Sequence, residues 1–347
     1  MDGRERYIRA LTFDNPDRVP VMHCTLKGAW QKYGKELEDL YARYPSDVLL
    51  SSRTRGPFAF TGSERGYWAD GEVTYDDWGC GWLWNTPEYM GQAVHHPLAD
   101  WSALASFRPP DPMTGQEGVD LMEIEVDADG HRHFVLVDGG ELFQRMIFLR
   151  GMEPLMIDLY EEREELLVLR DQIVEVCLRR IERWGATDKV DAIMLRDDWG
   201  TQQALMIAPE LWRRIFRPAY QTLVDAIHAT GAYASFHSDG VIHEILPDLV
   251  EIGCDEINPQ TNVMDIEALG ERFGGKVCVR ADIDRQYALP HGTPEEVSQL
   301  VRRLHAAFGT HNGGYVGWGE MSSDVPLANG RAVLETCYSL TYDSANT

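Results

Sequence analysis

The 347-residue sequence has no Cys-x-x-Cys pair, and its six cysteines, at 24, 80, 177, 254, 278 and 337, are scattered. That spacing excludes a disulfide scaffold and a zinc ribbon. No apolar run approaches the roughly 18 residues needed to cross a bilayer. The opening Met-Asp-Gly-Arg-Glu-Arg starts an amphipathic helix and lacks the apolar region of a signal peptide, so a cytoplasmic location is expected. Basic residues are scarce: 32 Lys and Arg face 56 Asp and Glu, a formal charge of -24. That balance disfavours nucleic acid and anionic membrane surfaces as partners. No Gly-x-Gly-x-x-Gly follows an early strand, which removes the main signature of dinucleotide binding. What remains is a chain with 44% hydrophobic residues, enough to bury one large α/β core or two smaller ones.

Most of the chain alternates between short apolar runs and amphipathic stretches. Strands are expected near residues 20, 47, 135, 193, 234, 257, 278 and 315, and most precede a helical pattern. Thr293-Pro294-Glu295-Glu296 has the form of a helix start, with a capping hydroxyl, Pro at the first helical position and acid in the first turn. Helices are expected over 153–184, with a break near 159–162, over 209–229 as one piece, and over 241–252. Strict alternation implies a parallel sheet, and eight units imply a closed α/β (β/α)8 TIM barrel. An open doubly wound sheet is the alternative. Residues 53–130 break the pattern with a Trp/Gly-rich inserted segment, a lid or pocket wall within one domain spanning 1–347. Inside it, Tyr75-Asp-Asp-Trp-Gly-Cys-Gly-Trp-Leu-Trp84 alternates like a hairpin. Trp78, Trp82 and Trp84 could stack on a flat substrate or close a small local core.

Barrel enzymes carry their chemistry on the C-terminal ends of the strands. Those ends hold His23, Asp47, Asp138, Asp197, Asp198, His237, Asp239, Asn258, Asp282, Asp284 and Glu320. In Tyr233-Ala-Ser-Phe-His-Ser-Asp-Gly240, the period of two points His237 and Asp239 the same way. The pair suits metal ligation or acid/base work, or else a turn that satisfies its own backbone. By the same period Cys278, Arg280 and Asp282 share a face. Arg196 and Arg280 could clamp a substrate carboxylate or phosphate, or pair with neighbouring acids.

Several stretches carry a resemblance. Arg4-Glu-Arg-Tyr-Ile-Arg-Ala10 with Asn15-Pro-Asp-Arg-Val-Pro-Val21 resembles the opening of the uroporphyrinogen decarboxylase superfamily. Leu149-Arg-Gly-Met-Glu153, Asp197-Asp-Trp-Gly-Thr-Gln202, Ile207-Ala-Pro-Glu210, Phe236-His-Ser-Asp-Gly240 and Pro326-Leu-Ala-Asn329 are similar to its later motifs, in the same order. The resemblance implies a (β/α)8 barrel and one of two chemistries. One branch decarboxylates a porphyrinogen without metal. The other comprises zinc-dependent methyltransferases that work with corrinoid proteins.

The decarboxylases carry an Arg-rich loop after Pro-Val, whereas this chain reads Met22-His-Cys-Thr-Leu-Lys-Gly28. Thiol-methylating members carry His-x-Cys-Gly where this chain has His237-Ser-Asp-Gly240. Carboxylates in place of thiolates make a harder site, suited to an oxygen-bearing group. The resemblance therefore implies methyl transfer from a methoxylated donor to a corrinoid, with zinc on His237, Asp239 and Glu320. Asp197, Asp198 and His237 are then the candidate catalytic residues, and His23, Trp78, Trp82, Trp84, Arg196 and Arg280 the substrate contacts. No Asp-x-His-x-x-Gly cobalt-binding stretch is present, so the corrinoid protein is expected as a partner in trans. A homodimer is compatible with this reading. The alternatives are a metal-free carboxy-lyase acting on a small acid, and a non-catalytic homologue that binds a corrinoid protein.

Overall fold

Eight parallel strands form one sheet that curls into a nearly closed barrel, in the order β1-β11-β10-β9-β8-β7-β6-β2. The structure is a computed structural model and describes residues 1–51, 71–84, 91–112 and 132–342. The barrel strands are β1 (Val21–Thr25), β2 (Val48–Ser51), β6 (Phe134–Gly140), β7 (Ala192–Arg196), β8 (Tyr233–Ser238), β9 (Glu256–Pro259), β10 (Cys278–Asp282) and β11 (Tyr315–Met321). Between β2 and β6 lies a separate antiparallel sheet of β3 (Glu72–Tyr75), β4 (Gly81–Trp84) and β5 (Gln92–His95). The expected segment at 53–130 falls partly outside the described residues, at 53–70, 85–90 and 113–130.

The (β/α)8 expectation holds, and the strand positions read from sequence match. The helices differ at their breaks. The 209–229 stretch divides into Pro209–Ile215 and Arg217–Ala229, because Pro218 cannot donate a backbone N–H in mid-helix and instead starts the second piece. The break near 160 is a left-handed Glu162 between Met152–Glu161 and Glu164–Gly185. Of the 241–252 stretch, only Leu246–Glu251 is α-helical. Thr293 and Glu296 close the reciprocal cap expected at Pro294–Phe308.

Barrel closure has two parts. β1 ladders onto β11 from Val21↔Gly317 to Thr25↔Met321. Toward β2 there is a seam rather than a ladder: Asp47 donates its amide to the Val21 carbonyl at 2.8 Å, and its carboxylate accepts the Val21 amide at 2.8 Å. Arg6 and Arg18 both reach the same carboxylate.

Inside the barrel the period of two stacks side chains in layers. The lower layer is apolar, with Tyr7, Phe134, Ala192, Cys278 and Val316. Tyr7 comes from the N-terminal helix Gly3–Leu11, which plugs the bottom and stacks on Phe134 with centroids 4.1 Å apart. Above it lies a polar network: Glu256 accepts from the Tyr7 hydroxyl, from Ser235 Oγ at 2.6 Å and from Arg280 Nε at 3.2 Å. The uppermost layer opens at the C-terminal ends of the strands and carries the chemistry.

Candidate active site at the barrel mouth

Two glycines assemble the site. The β7 loop reads Arg196-Asp-Asp-Trp-Gly200 and the β8 loop His237-Ser-Asp-Gly240. Gly240 has φ +79, and a Cβ there would lie 2.1 Å from the Gly200 carbonyl carbon. The backbones can touch only because neither residue has a side chain. Gly200 donates its amide to the Asp239 carbonyl at 3.1 Å, and Val241 to the Thr201 carbonyl at 2.8 Å. This crossing brings Asp198 and Asp239 together, and the Asp239 amide donates to Asp198 Oδ1 at 2.9 Å.

His237 sits between them. Its Nε2 lies 3.7 Å from Asp198 Oδ1 and 3.8 Å from Asp239 Oδ1. Its Nδ1 lies 2.8 Å from Asn258 Oδ1 and 3.1 Å from the Asn258 carbonyl. A carbonyl only accepts, so Nδ1 carries a proton, and Nε2 is the ring nitrogen that faces the two carboxylates. The Asn258 amide nitrogen donates in turn to the Arg280 carbonyl, which orients its oxygen toward the ring.

His237, Asp198 and Asp239 each place one ligand atom within 4.8 Å of the others, the one such group found among the described residues. The set fits a divalent cation. Asp239 Oδ1 is buried with no hydrogen-bond partner among the described residues, and a carboxylate oxygen left so is costly unless a cation or donor meets it. An imidazole with two carboxylates is a donor set that zinc accepts.

Glu320, expected as the third ligand, stands outside this group. It lies on β11 opposite Cys24, where its charge bears on Asp282 and Arg285. Asp198 takes the place assigned to it, because the glycine crossing brings the β7 loop closer than β11. Asp197 points the other way. It is buried and accepts from the amides of Leu142 and Gln144 at 2.7 and 2.8 Å and from the Tyr220 hydroxyl at 2.6 Å. It thus caps the helix Phe143–Arg150, whose own N-cap residue makes no side-chain bond. Burial pushes its carboxyl up to about 7.

The substrate contacts read from sequence fare unevenly. Arg196 reaches the mouth, but its Nε donates to Asp138 at 3.0 Å and it lies 3.9 Å from Glu141. Arg280 lies a layer below, 1% exposed, paired with Glu256 and flanked by the Met22 and Met194 sulfurs. His23 faces outward, since Met22 and Cys24 take the interior positions on β1. Its ring stacks on Tyr41 at 3.9 Å, Nε2 meets the Tyr44 carbonyl at 2.8 Å, and burial pushes it down to about 4, leaving it neutral.

Trp78, Trp82 and Trp84 are all buried in the local core beside helix Phe143–Arg150. Trp82 Nε1 donates to Asp76 at 3.2 Å, Trp84 Nε1 to Thr74 at 2.8 Å, and Trp82 meets Phe148 edge-on. They close a local core instead of walling the mouth.

Two participants escaped the sequence reading. Gln144 donates to Asp198 Oδ2. Arg285, three residues past the end of β10, donates to Asp239 Oδ2 and lies 3.7 Å from Asp282 Oδ2. No periodic pattern marks a loop arginine, so its only signal was proximity to a strand end. Asp282 is 2% exposed, and neither of its oxygens has a hydrogen-bond partner among the described residues. Burial pushes its carboxyl well above the usual range, Asp239 and Glu320 add to that, and Arg285 opposes it. Beside the mouth loops a groove of ≈ 390 Å³ is bounded by Gln202, Val241, His243 and Met264. That is space for a small organic molecule.

Comparisons with known proteins agree with this architecture. The fold resembles a methyltransferase from Methanosarcina mazei with a TM-score of 0.68, over 97% of this chain and 98% of that one, at 14% identity. The likeness at that identity is one of fold. A uroporphyrinogen decarboxylase of Magnetococcus marinus (strain ATCC BAA-1437 / JCM 17883 / MC-1) is 26% identical over 190 residues, 51% of this chain. The matched region spans about half the length of that relative, 50%. The family model for uroporphyrinogen decarboxylase (URO-D) matches residues 81–340, and the chain belongs to that family.

Proposed function

We propose that this protein is a metal-dependent methyltransferase that moves a methyl group from a methoxylated donor to a corrinoid held by a separate protein. The observation that carries the reading is His237 Nε2 grouped with Asp198 and with Asp239 Oδ1, which has no hydrogen-bond partner among the described residues. His237, Asp198 and Asp239 would hold zinc, which when bound supplies Lewis acidity to an ether oxygen. Asn258 holds the His237 tautomer, Gln144 orients Asp198, and the Gly200–Gly240 crossing keeps the two acidic loops in register. The hard donor set supports an oxygen-bearing methyl donor over a thiol.

The test is metal content by elemental mass spectrometry, on protein purified without chelator or affinity-tag metal. About one zinc per chain, lost in His237→Ala, is expected, and release of methyl groups from methoxylated compounds to a corrinoid acceptor should follow. No stoichiometric metal after zinc is added back overturns the reading.

A second reading, a metal-free carboxy-lyase acting on a small acid, has one observation in its favour. The Asp282 carboxyl, which burial raises well above the usual carboxylate range, lies beside Arg285. A cation to hold a carboxylate and an acid to protonate the carbanion left by carbon dioxide are what decarboxylation requires.

A further inference from the structure

Arg285 and Asp282 stand beside the proposed metal ligands without being among them. Arg285 Nη2 donates to Asp239 Oδ2, one oxygen of a carboxylate whose other oxygen, 3.8 Å from His237 Nε2, has no partner. Its Nη1 lies 3.7 Å from Asp282 Oδ2, beyond hydrogen-bond length. The guanidinium therefore serves one carboxylate well and the other poorly. Asp282 is the more deeply buried of the two and the one with nothing else to accept from. A buried carboxyl group with two unmet oxygens gains more from a guanidinium than a half-exposed one does.

The surroundings decide which atoms can move. The Asp239 backbone is pinned by the Gly200–Gly240 crossing. The Arg285 backbone is pinned by the turn in which Asp284 Oδ1 accepts from the amides of Gln286 and Tyr287 at 2.9 and 3.0 Å. The long Arg285 side chain is the adaptable part between two fixed acids. A cation on Asp239 repels the guanidinium and takes over its electrostatic role. Asp282 Oδ2 already stands 3.7 Å from its Nη1.

Resting on the metal-site reading, we infer that Arg285 competes with a divalent metal for Asp239, and that Asp282 is the alternative partner that makes the exchange easy. Both are positioning residues that act through Asp239. They tune how tightly the site holds its ion, so metal affinity depends on this pair of residues as well as on the three ligands.

The experiment is zinc affinity by competition with a chromophoric chelator, on wild type, Arg285→Met, Arg285→Lys, Asp282→Leu and His237→Ala, each checked for native circular dichroism. Loss of one charge-assisted hydrogen bond from the competitor predicts about tenfold tighter zinc in Arg285→Met. Arg285→Lys should lie between it and wild type. Asp282→Leu, which removes the accepting oxygens of the alternative partner, should weaken zinc by a similar factor. A merely structural role would weaken binding in both variants. Equal or weaker binding in Arg285→Met, with wild type holding one zinc that His237→Ala loses, overturns this inference and leaves the metal reading intact. Zinc bound by Arg285→Met more tightly than by wild type supports the inference even where wild type binds poorly. No zinc in either protein overturns both.

Discussion

Asn258 faces His237 across the β8–β9 ladder, its side-chain oxygen 2.8 Å from Nδ1, in the register that pairs the two residues directly. The contact decides which ring nitrogen is free. Asn258→Ala removes it and leaves Nδ1 only the residue 258 backbone carbonyl at 3.1 Å, a looser hold on the ring. Loss of such a supporting contact typically weakens a metal site about 10–100-fold. Zinc titration against a chelator measures this; affinity equal to wild type would remove Asn258 from the site.

Gly240→Ala should destabilise the protein by about 2 kcal/mol or more, since the residue has a positive φ and its new methyl would enter the Gly200 backbone. Because the same crossing aligns Asp198 with Asp239, metal affinity should fall in the folded fraction too. Urea denaturation gives the first effect and zinc titration the second. A stable variant with normal affinity would refute the assembly described for these loops.

Trp82→Ala should cost about 3–5 kcal/mol, as for other buried tryptophans. Metal bound per folded chain should stay the same, because the ring lies in the small core beside Phe148. Calorimetry and metal analysis on the same sample separate the two. A normal melting temperature combined with impaired substrate binding would return Trp82 to the role expected from sequence.

Asp282 makes stability depend on pH. Its carboxyl is raised above the ordinary 3.8, so the folded state holds a proton that the unfolded chain releases. Stability from this group is complete below the unfolded value and declines as pH rises above it, by at most about 1.4 kcal/mol per pH unit, until the folded carboxyl ionises. Asp282→Asn cannot ionise and should gain on wild type as pH rises. Denaturation curves at several pH values between 5 and 9 measure the difference; a constant offset would show that Asp282 is already ionised in the folded protein.

The barrel was legible in the sequence because its signal is periodic. Each strand alternates, most precede an amphipathic helix, and Pro or Gly punctuates the ends. His237 and Asp239 were legible for the same reason, two residues apart at a strand end. The rest of the site was not, because it depends on which loops meet in space. Asp197 and Asp198 are adjacent in sequence, yet one turns inward to cap a helix and the other faces the histidine. Glu320 occupies an equivalent strand end, but no glycine crossing draws it to the group. The tryptophans left both readings open, because a ring that fills a core and a ring that walls a pocket share the same composition and alternation.

The ladder between β1 and β11 joins Val21 to Gly317. β1 has no other ladder partner among the described strands, and its seam to β2 consists of contacts around Asp47. During synthesis, β1 must wait for nearly three hundred residues before its partner emerges. Contacts of such long sequence separation form late and slowly, after a large loop-closure cost. Until then β1 is an open edge carrying apolar Val21 and Met22, the kind of edge that other chains can pair with. The N-terminal helix, anchored to Asp47 through Arg6, can hold β1 near β2 in the interval. The yield of folded protein should accordingly be most sensitive to that anchor, even though it lies at the opposite end of the barrel from the chemistry.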